Sequence, residues 1–363
     1  MASRKAEGPG KLGEGRDLDY NQLMAWDMIG HQWAVELLRR HLAQQRVRHA
    51  YLFTGPDGIG KRTLALCLAQ ALNCEAPPSP GEACGVCRAC RLIPQGTHPD
   101  LHLVTKQEGD AQIKMEQVLE LQRQLALAPF EGRWRIALGV GFHDASVSAQ
   151  NALLKTLEEP SPRVVLLLTA RQAELLLPTI VSRCEVVALR PLAAGELADA
   201  LTARGETAER AKLLSALAGG RPGVALRTAS NPERLEERSG QLDDLRALLR
   251  SSRVEQFGYV ERLVGRKREL DLETKRREAE QLLEAWLSLW RDAMVVAYGA
   301  QASLGNPDCL ADLERMVRTI GAEGLLGAVQ ATERTLEAVR KNANLQLAFE
   351  ALMLDLPRFP AGA

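Results

Sequence analysis

The stretch that decides the fold runs Tyr51-Leu52-Phe53-Thr54-Gly55-Pro56-Asp57-Gly58-Ile59-Gly60-Lys61-Arg62-Thr63. Four strand-forming residues lead directly into a glycine-rich turn, a lysine and a helical pattern, the arrangement of a phosphate-binding loop. Gly55, Gly58 and Gly60 let backbone N–H groups face an anion, the following helix adds the positive end of its dipole, and Lys61 reaches the outer phosphates. With Thr63 these residues form the candidate nucleotide-binding set. The residue after such a lysine is normally Ser or Thr and ligates magnesium, whereas here it is Arg62. A guanidinium is no metal ligand, so the loop has two readings: a site for ATP or ADP, or a turn kept for its shape.

On either side of the loop, strand-like and helix-like patterns alternate from His49 as far as Leu192, the mark of a parallel α/β sheet built from crossover units. Runs of Val, Leu, Ile and aromatics predict strands at 50–54, 101–105, 135–140, 164–169 and 185–189, with helices at 61–73, 115–126 and 148–158. After Pro191 the strand signal stops. Residues 193–228 read as a small helical unit around the loop Gly219-Gly220-Arg221-Pro222-Gly223, and everything from Asn231 onward is helical. There Leu283, Trp286, Leu287, Trp290 and Met294 form an apolar stripe at helix spacing, expected to be core packing.

The chain has 363 residues, enough for two or three domains, and its 46 Lys plus Arg balance 46 Asp plus Glu. A pI near 7.0 and 4% aromatic residues argue against a global nucleic-acid field or a base-stacking platform. The N-terminus is charged and glycine-rich without an apolar segment, and no apolar run approaches membrane-spanning length, so a cytoplasmic protein with no membrane contact is expected.

Seven cysteines are present, four of them at Cys74, Cys84, Cys87 and Cys90. The C-x-x-C-x-x-C run, with Cys74 just after the first helix, offers four thiolates for a tetrahedral ion, and structural Zn²⁺ is the expected occupant. An iron–sulfur cluster accepts the same ligands, and disulfides would require an oxidising compartment. His98, in His98-Pro99-Asp100, is either a substitute ligand or a strand-entry residue. Hydrolysis of ATP further needs an acidic residue at the end of a neighbouring strand, but the third strand ends Gly139-Val140-Gly141-Phe142. His143 and Asp144 follow it, as a displaced acid or base or as residues that cap or precede the helix beginning near Ser146.

The phosphate loop, the cysteine insert, His98-Pro99-Asp100, Asn151-Ala152-Leu153-Leu154-Lys155-Thr156-Leu157-Glu158-Glu159-Pro160 and Ser182-Arg183-Cys184 occur in one order that resembles the bacterial clamp-loader family of AAA+ proteins. The resemblance is close over residues 23–191 and loose over 193–356. It implies a tail at 1–20, an α/β AAA+ module at 21–191 (a five-stranded parallel sheet with a zinc insert at 74–90), a small helical lid at 192–230 and an all-α collar at 231–363. The implied partners are clamp-loader ATPase subunits and a delta-like subunit in a pentamer, with the sliding clamp and primed DNA reached through the complex.

By the same resemblance Thr169 falls at the sensor threonine, and Arg183 is an arginine finger projecting into a neighbour's ATP site. From residue chemistry alone Arg183 is an exposed surface arginine. Val140 and Gly141 stand where an active member carries Asp-Glu, and Gly223 where it carries a sensor arginine. With Arg62, these departures favour a non-hydrolysing member over the ATPase motor, the alternative function. A zinc-dependent DNA-binding module is the third reading, disfavoured by neutral charge and the lack of a recognition helix. Lys155, Glu158 and Glu159 receive no role.

Overall fold

The computed structural model describes residues 26–107, 109–265, 271–300 and 304–359; the tail expected at 1–20 lies outside the described residues. The chain divides into two compact units, Met1–Leu197 with Arg221–Arg227, and Ala198–Gly220 with Thr228–Ala363.

The first unit is built on five parallel strands, β1 (Ala50–Thr54), β2 (Leu101–Val104), β3 (Arg135–Gly139), β4 (Val164–Ala170) and β5 (Glu185–Ala188), in the order β2-β3-β4-β1-β5. Leu52 at the middle of β1 pairs with Leu168 on one side and Val186 on the other. Every residue of β1, β3 and β4 is buried, because crossover helices cover both faces of a parallel sheet and both sets of alternating side chains must be apolar. Tyr51 and Phe53 point to one layer with α1 (Gln32–Ala43) and α2 (Lys61–Asn73). Leu52, Leu166 and Leu168 point to the other, formed by α4 (Met115–Leu125), α5 (Val147–Glu158) and α6 (Pro178–Val181). A short helix, α3 (Arg88–Leu92), belongs to the cysteine insert.

Three small helices follow the sheet: α7 (Ala194–Ala203), α8 (Ala208–Ala218) and α9 (Pro222–Ala229). Gly219 ends α8 in the left-handed conformation at φ 55°, and Pro222 opens α9, where its missing N–H has no partner to lose.

The second unit continues with α10 (Glu233–Arg250), α11 (Arg253–Gly265), α12 (Leu272–Ala297), α13 (Leu310–Arg340) and α14 (Leu345–Asp355). The expected stripe is its core: Leu283, Trp286 and Trp290 are fully buried, and Trp286 meets Phe349 edge-on with ring centroids 6.5 Å apart. The Trp286 indole N–H donates to the Gln241 carbonyl at 2.8 Å, so this ring is buried without an unpaired donor. Asp292 reaches from α12 to accept the N–H groups of Gly305 and Asn306 at 3.0 and 2.6 Å, fixing the approach to α13.

Candidate functional site

The cysteine insert leaves α2 at Cys74 and returns through α3. Its four sulfurs lie within 4.8 Å of one another, with Cys84 and Cys90 3.9 Å apart. A tetrahedral ion with metal–sulfur bonds of about 2.3 Å sets sulfurs about 3.8 Å apart, so the four residues fit one such ion with a small contraction. The Cys84 N–H donates to the Cys74 sulfur at 3.2 Å and the Cys87 N–H to the Cys84 sulfur at 3.3 Å, contacts that favour thiolates. Burial opposes ionisation of Cys84, but the N–H groups of Val86 and Cys87 and the neighbouring cysteines bring it down to about 6. By contrast, burial pushes Cys67 and Cys184 up to about 12, so these two are inert packing thiols.

The insert is tied to its surroundings from two sides. Gln70 of α2 donates to the Cys90 carbonyl at 2.8 Å, and the Trp26 indole donates to the Gly81 carbonyl at 2.8 Å. His98 is not among the clustered ligands: its Nδ1 accepts the Asp100 N–H at 3.1 Å, which makes it a strand-entry residue.

The phosphate loop has the expected course, Gly55, Gly58 and Gly60 taking φ of 140°, 81° and 111°, values that a side chain would strain. Lys61 and Thr63 stand in the first turn of α2. Lys61 is only 9% exposed, and its ammonium donates to the carbonyls of Gly55 and Pro56 and to Asp57 Oδ1. Arg171, directly after β4, donates through Nε to Asp57 Oδ2 at 2.8 Å. At the loop's far side the Gly223 N–H donates to the Gly58 carbonyl at 2.8 Å. A Cβ at Gly223 would sit 2.9 Å from that oxygen, so the backbone of Gly223 lies against the loop.

No carboxylate enters from β3. Gly141 turns at φ 64° and its N–H donates to the Thr169 hydroxyl at 2.9 Å, so Thr169 ties the ends of β3 and β4 together. Phe142–Asp144 form a 3-10 turn, and Ser146 caps α5 by accepting the Ala149 N–H at 3.2 Å.

Arg183 follows α6 and precedes β5. Its Nη1 donates to the Thr179 carbonyl at 3.0 Å and its Nη2 to Glu158 Oε1 at 2.9 Å. Gln150 of α5 accepts the Leu177 N–H at 2.9 Å and donates to the Ala145 carbonyl at 3.1 Å, anchoring the segment that carries Arg183. Because β1 and β5 run parallel, the loop after Thr54 and Arg183 before Glu185 lie at opposite ends of the sheet. The strand between them spans about 10 Å, so Arg183 does not serve its own loop. Sequence reasoning missed Asp57, Arg171, Gln150 and the Glu158 pairing; only the four-residue spacing of Asp57 and Lys61 offered a signal.

A family profile described as DNA polymerase III, delta subunit, matches residues 30–193, and one described as DNA polymerase III, delta subunit, C terminal, matches residues 271–357. The chain is similar to the DNA polymerase III delta subunit in both of these stretches. Among its relatives, subunit delta' of DNA polymerase III from Pseudomonas aeruginosa is 40% identical over 205 residues, covering 56% of this chain and 62% of that protein. Subunit delta' from Bacillus subtilis is 27% identical over 89% of this chain and 94% of its own length. Subunit tau from Escherichia coli is 39% identical over 44% of this chain but only 24% of its own. The family profiles thus account for both the sheet unit and the last three helices.

Proposed function

We propose that the chain is a delta-prime-like subunit of a DNA polymerase III clamp loader. It acts as a scaffold that completes no chemistry at its own phosphate loop. Instead it lends Arg183 to the ATP site of a neighbouring ATPase subunit while the sliding clamp is placed on primed DNA. The observation that carries this reading is the separation of Arg183 from the chain's own loop by the length of the sheet. The loop also lacks a magnesium ligand at Arg62 and acids at Val140 and Gly141. The Glu158 carboxylate on Arg183 is the kind of anionic partner that a phosphate would replace.

The partners in this reading are ATPase subunits and a delta-like subunit in a pentamer, with clamp and DNA engaged through the assembly. Cys74, Cys84, Cys87 and Cys90 hold Zn²⁺, which cross-links the insert to α2 and, with four protein ligands, leaves no position for a reacting water. Neither ATP nor ADP is needed at the Gly55–Lys61 loop.

Arg183→Ala tests the proposal in the reconstituted complex. Arginine fingers in GTPases contribute on the order of 10³ to 10⁵ in rate, and other interfaces here carry their own, so a loss of about tenfold or more in DNA- and clamp-stimulated ATP hydrolysis is expected. Arg183→Lys should fail to restore it, because an ammonium lacks the planar fork. Folding of either variant should change by no more than about 0.5 kcal/mol. A complex that hydrolyses ATP and loads clamps at the unmutated rate with Arg183→Ala would falsify the trans-acting role.

A further inference from the structure

A phosphate loop ready for its ligand presents unpaired donors and a free ammonium. Here the ammonium and the loop's first N–H are engaged by the chain itself. Lys61 Nζ donates to two loop carbonyls and lies 3.4 Å from Asp57 Oδ1, while the second oxygen of the same carboxylate accepts Arg171 Nε at 2.8 Å. Arg171 is fixed in place from the other direction, since its carbonyl accepts the Gly55 N–H at 3.1 Å. One carboxylate therefore stands between two cations at the mouth of the loop, the electrostatic surroundings of a bound phosphate. On the far side the first turn of α9 is at backbone contact: Gly223 N–H donates to Gly58, and a Cβ at Gly58 would lie 2.7 Å from Val224 Cγ2.

We propose that Asp57 is an internal anion that takes the place of a phosphate, turning the loop from a nucleotide site into a self-liganded joint that holds the first turn of α9 without any ligand. Asp57 and Arg171 are both well exposed, so their pair adds little to stability. Its effect is on occupancy, because a fixed negative charge beside Lys61 and Arg171 repels an incoming polyphosphate and competes for the same donors. His143 and Asp144, on the turn after β3, also lie beside this cluster, and burial holds the His143 pKa below the ordinary value, while Arg227 approaches the Gly58 side of the loop.

The test is calorimetric titration of the isolated full chain, with its metal, by sodium tripolyphosphate and separately by ATP. It needs no partner subunit, so its outcome is independent of the role given to Arg183. The unmutated chain should show no binding at millimolar ligand. Asp57→Asn and Asp57→Ser should each bind tripolyphosphate at least about tenfold more tightly, and adding Lys61→Ala to either should abolish the gain. Amine acylation of the unmutated chain, read by mass spectrometry, provides a measurement that needs no variant: Lys61 should react far more slowly than exposed Lys155. Two results would overturn the proposal. One is folded Asp57 variants that bind tripolyphosphate no better than the unmutated chain; the other is Lys61 acylated as fast as Lys155.

Discussion

Asp100 is fully buried, yet its carboxylate accepts the N–H groups of Phe130, Glu131 and Gly132 at 2.6, 2.9 and 2.7 Å and faces Arg135 Nε at 3.4 Å. Burial alone would raise its pKa, but the three N–H groups and Arg135 together hold it below the usual carboxylate range. A depressed folded value means that its stabilisation is complete above the unfolded pKa of about 3.9 and is lost as pH falls through the folded one. Asp100→Asn leaves an amide that cannot accept all three bonds, so a loss of about 2–3 kcal/mol at pH 7 is expected. The difference from the unmutated chain should shrink as pH drops below about 4, as read from urea midpoints across pH. At the cysteine centre, elemental analysis should find one zinc per chain. Cys87→Ser should lose that equivalent and lower the melting temperature by about 5 °C or more, since a structural ion contributes its binding energy to folding. Iron in place of zinc, or a metal-free chain of equal stability, would remove the assignment.

Among the elements, α13 carries the sharpest test of what a local pattern misses. Its 31 residues read as one helix, but Gly321 breaks it at φ 73° and ψ 167°. Helix propensity predicts that Gly321→Ala stabilises the chain by about 1 kcal/mol. The observed conformation reverses the sign. Nothing lies within 4 Å of an added Cβ, so the cost is backbone strain alone, and a destabilisation of about 1–2 kcal/mol is expected in chemical unfolding. Elsewhere the elements were legible: β1 and α2 have the bounds that their residue patterns predict, and the other strands differ by a residue at one end. Those ends follow the partner strand. β2 stops at Val104 because its neighbour β3 ends opposite it at Gly139, a limit invisible in the run through Thr105. The helix start near Ser146 was legible, but the cap is Ser146 itself, which accepts the N–H three residues on, and neither His143 nor Asp144.

For the molecule as a unit, the isolated chain should hydrolyse no ATP above background, with or without DNA. Sustained magnesium-dependent turnover that Lys61→Ala abolishes would restore the motor reading. The sequence by itself determined the alternation of apolar strands and helices, the four-cysteine centre, the degenerate loop and the all-helical C-terminal unit. Each is written in periodicity or in spacings of a few residues, where backbone propensity and ligand geometry act locally. Only the tertiary structure decided what those pieces do to one another. Asp57 meets Arg171 across 114 residues, and Arg183 meets Glu158 across 25. Gly223 reaches Gly58 only where α9 comes against the loop. Such pairings depend on the strand order β2-β3-β4-β1-β5, which sets β4 and β5 on either side of β1. That order brings Arg171 to the loop at one end of the sheet and leaves Arg183 at the other. The reason is physical: a charged side chain pairs with whatever the packed core sets beside it, and the core is assembled from segments far apart in the chain.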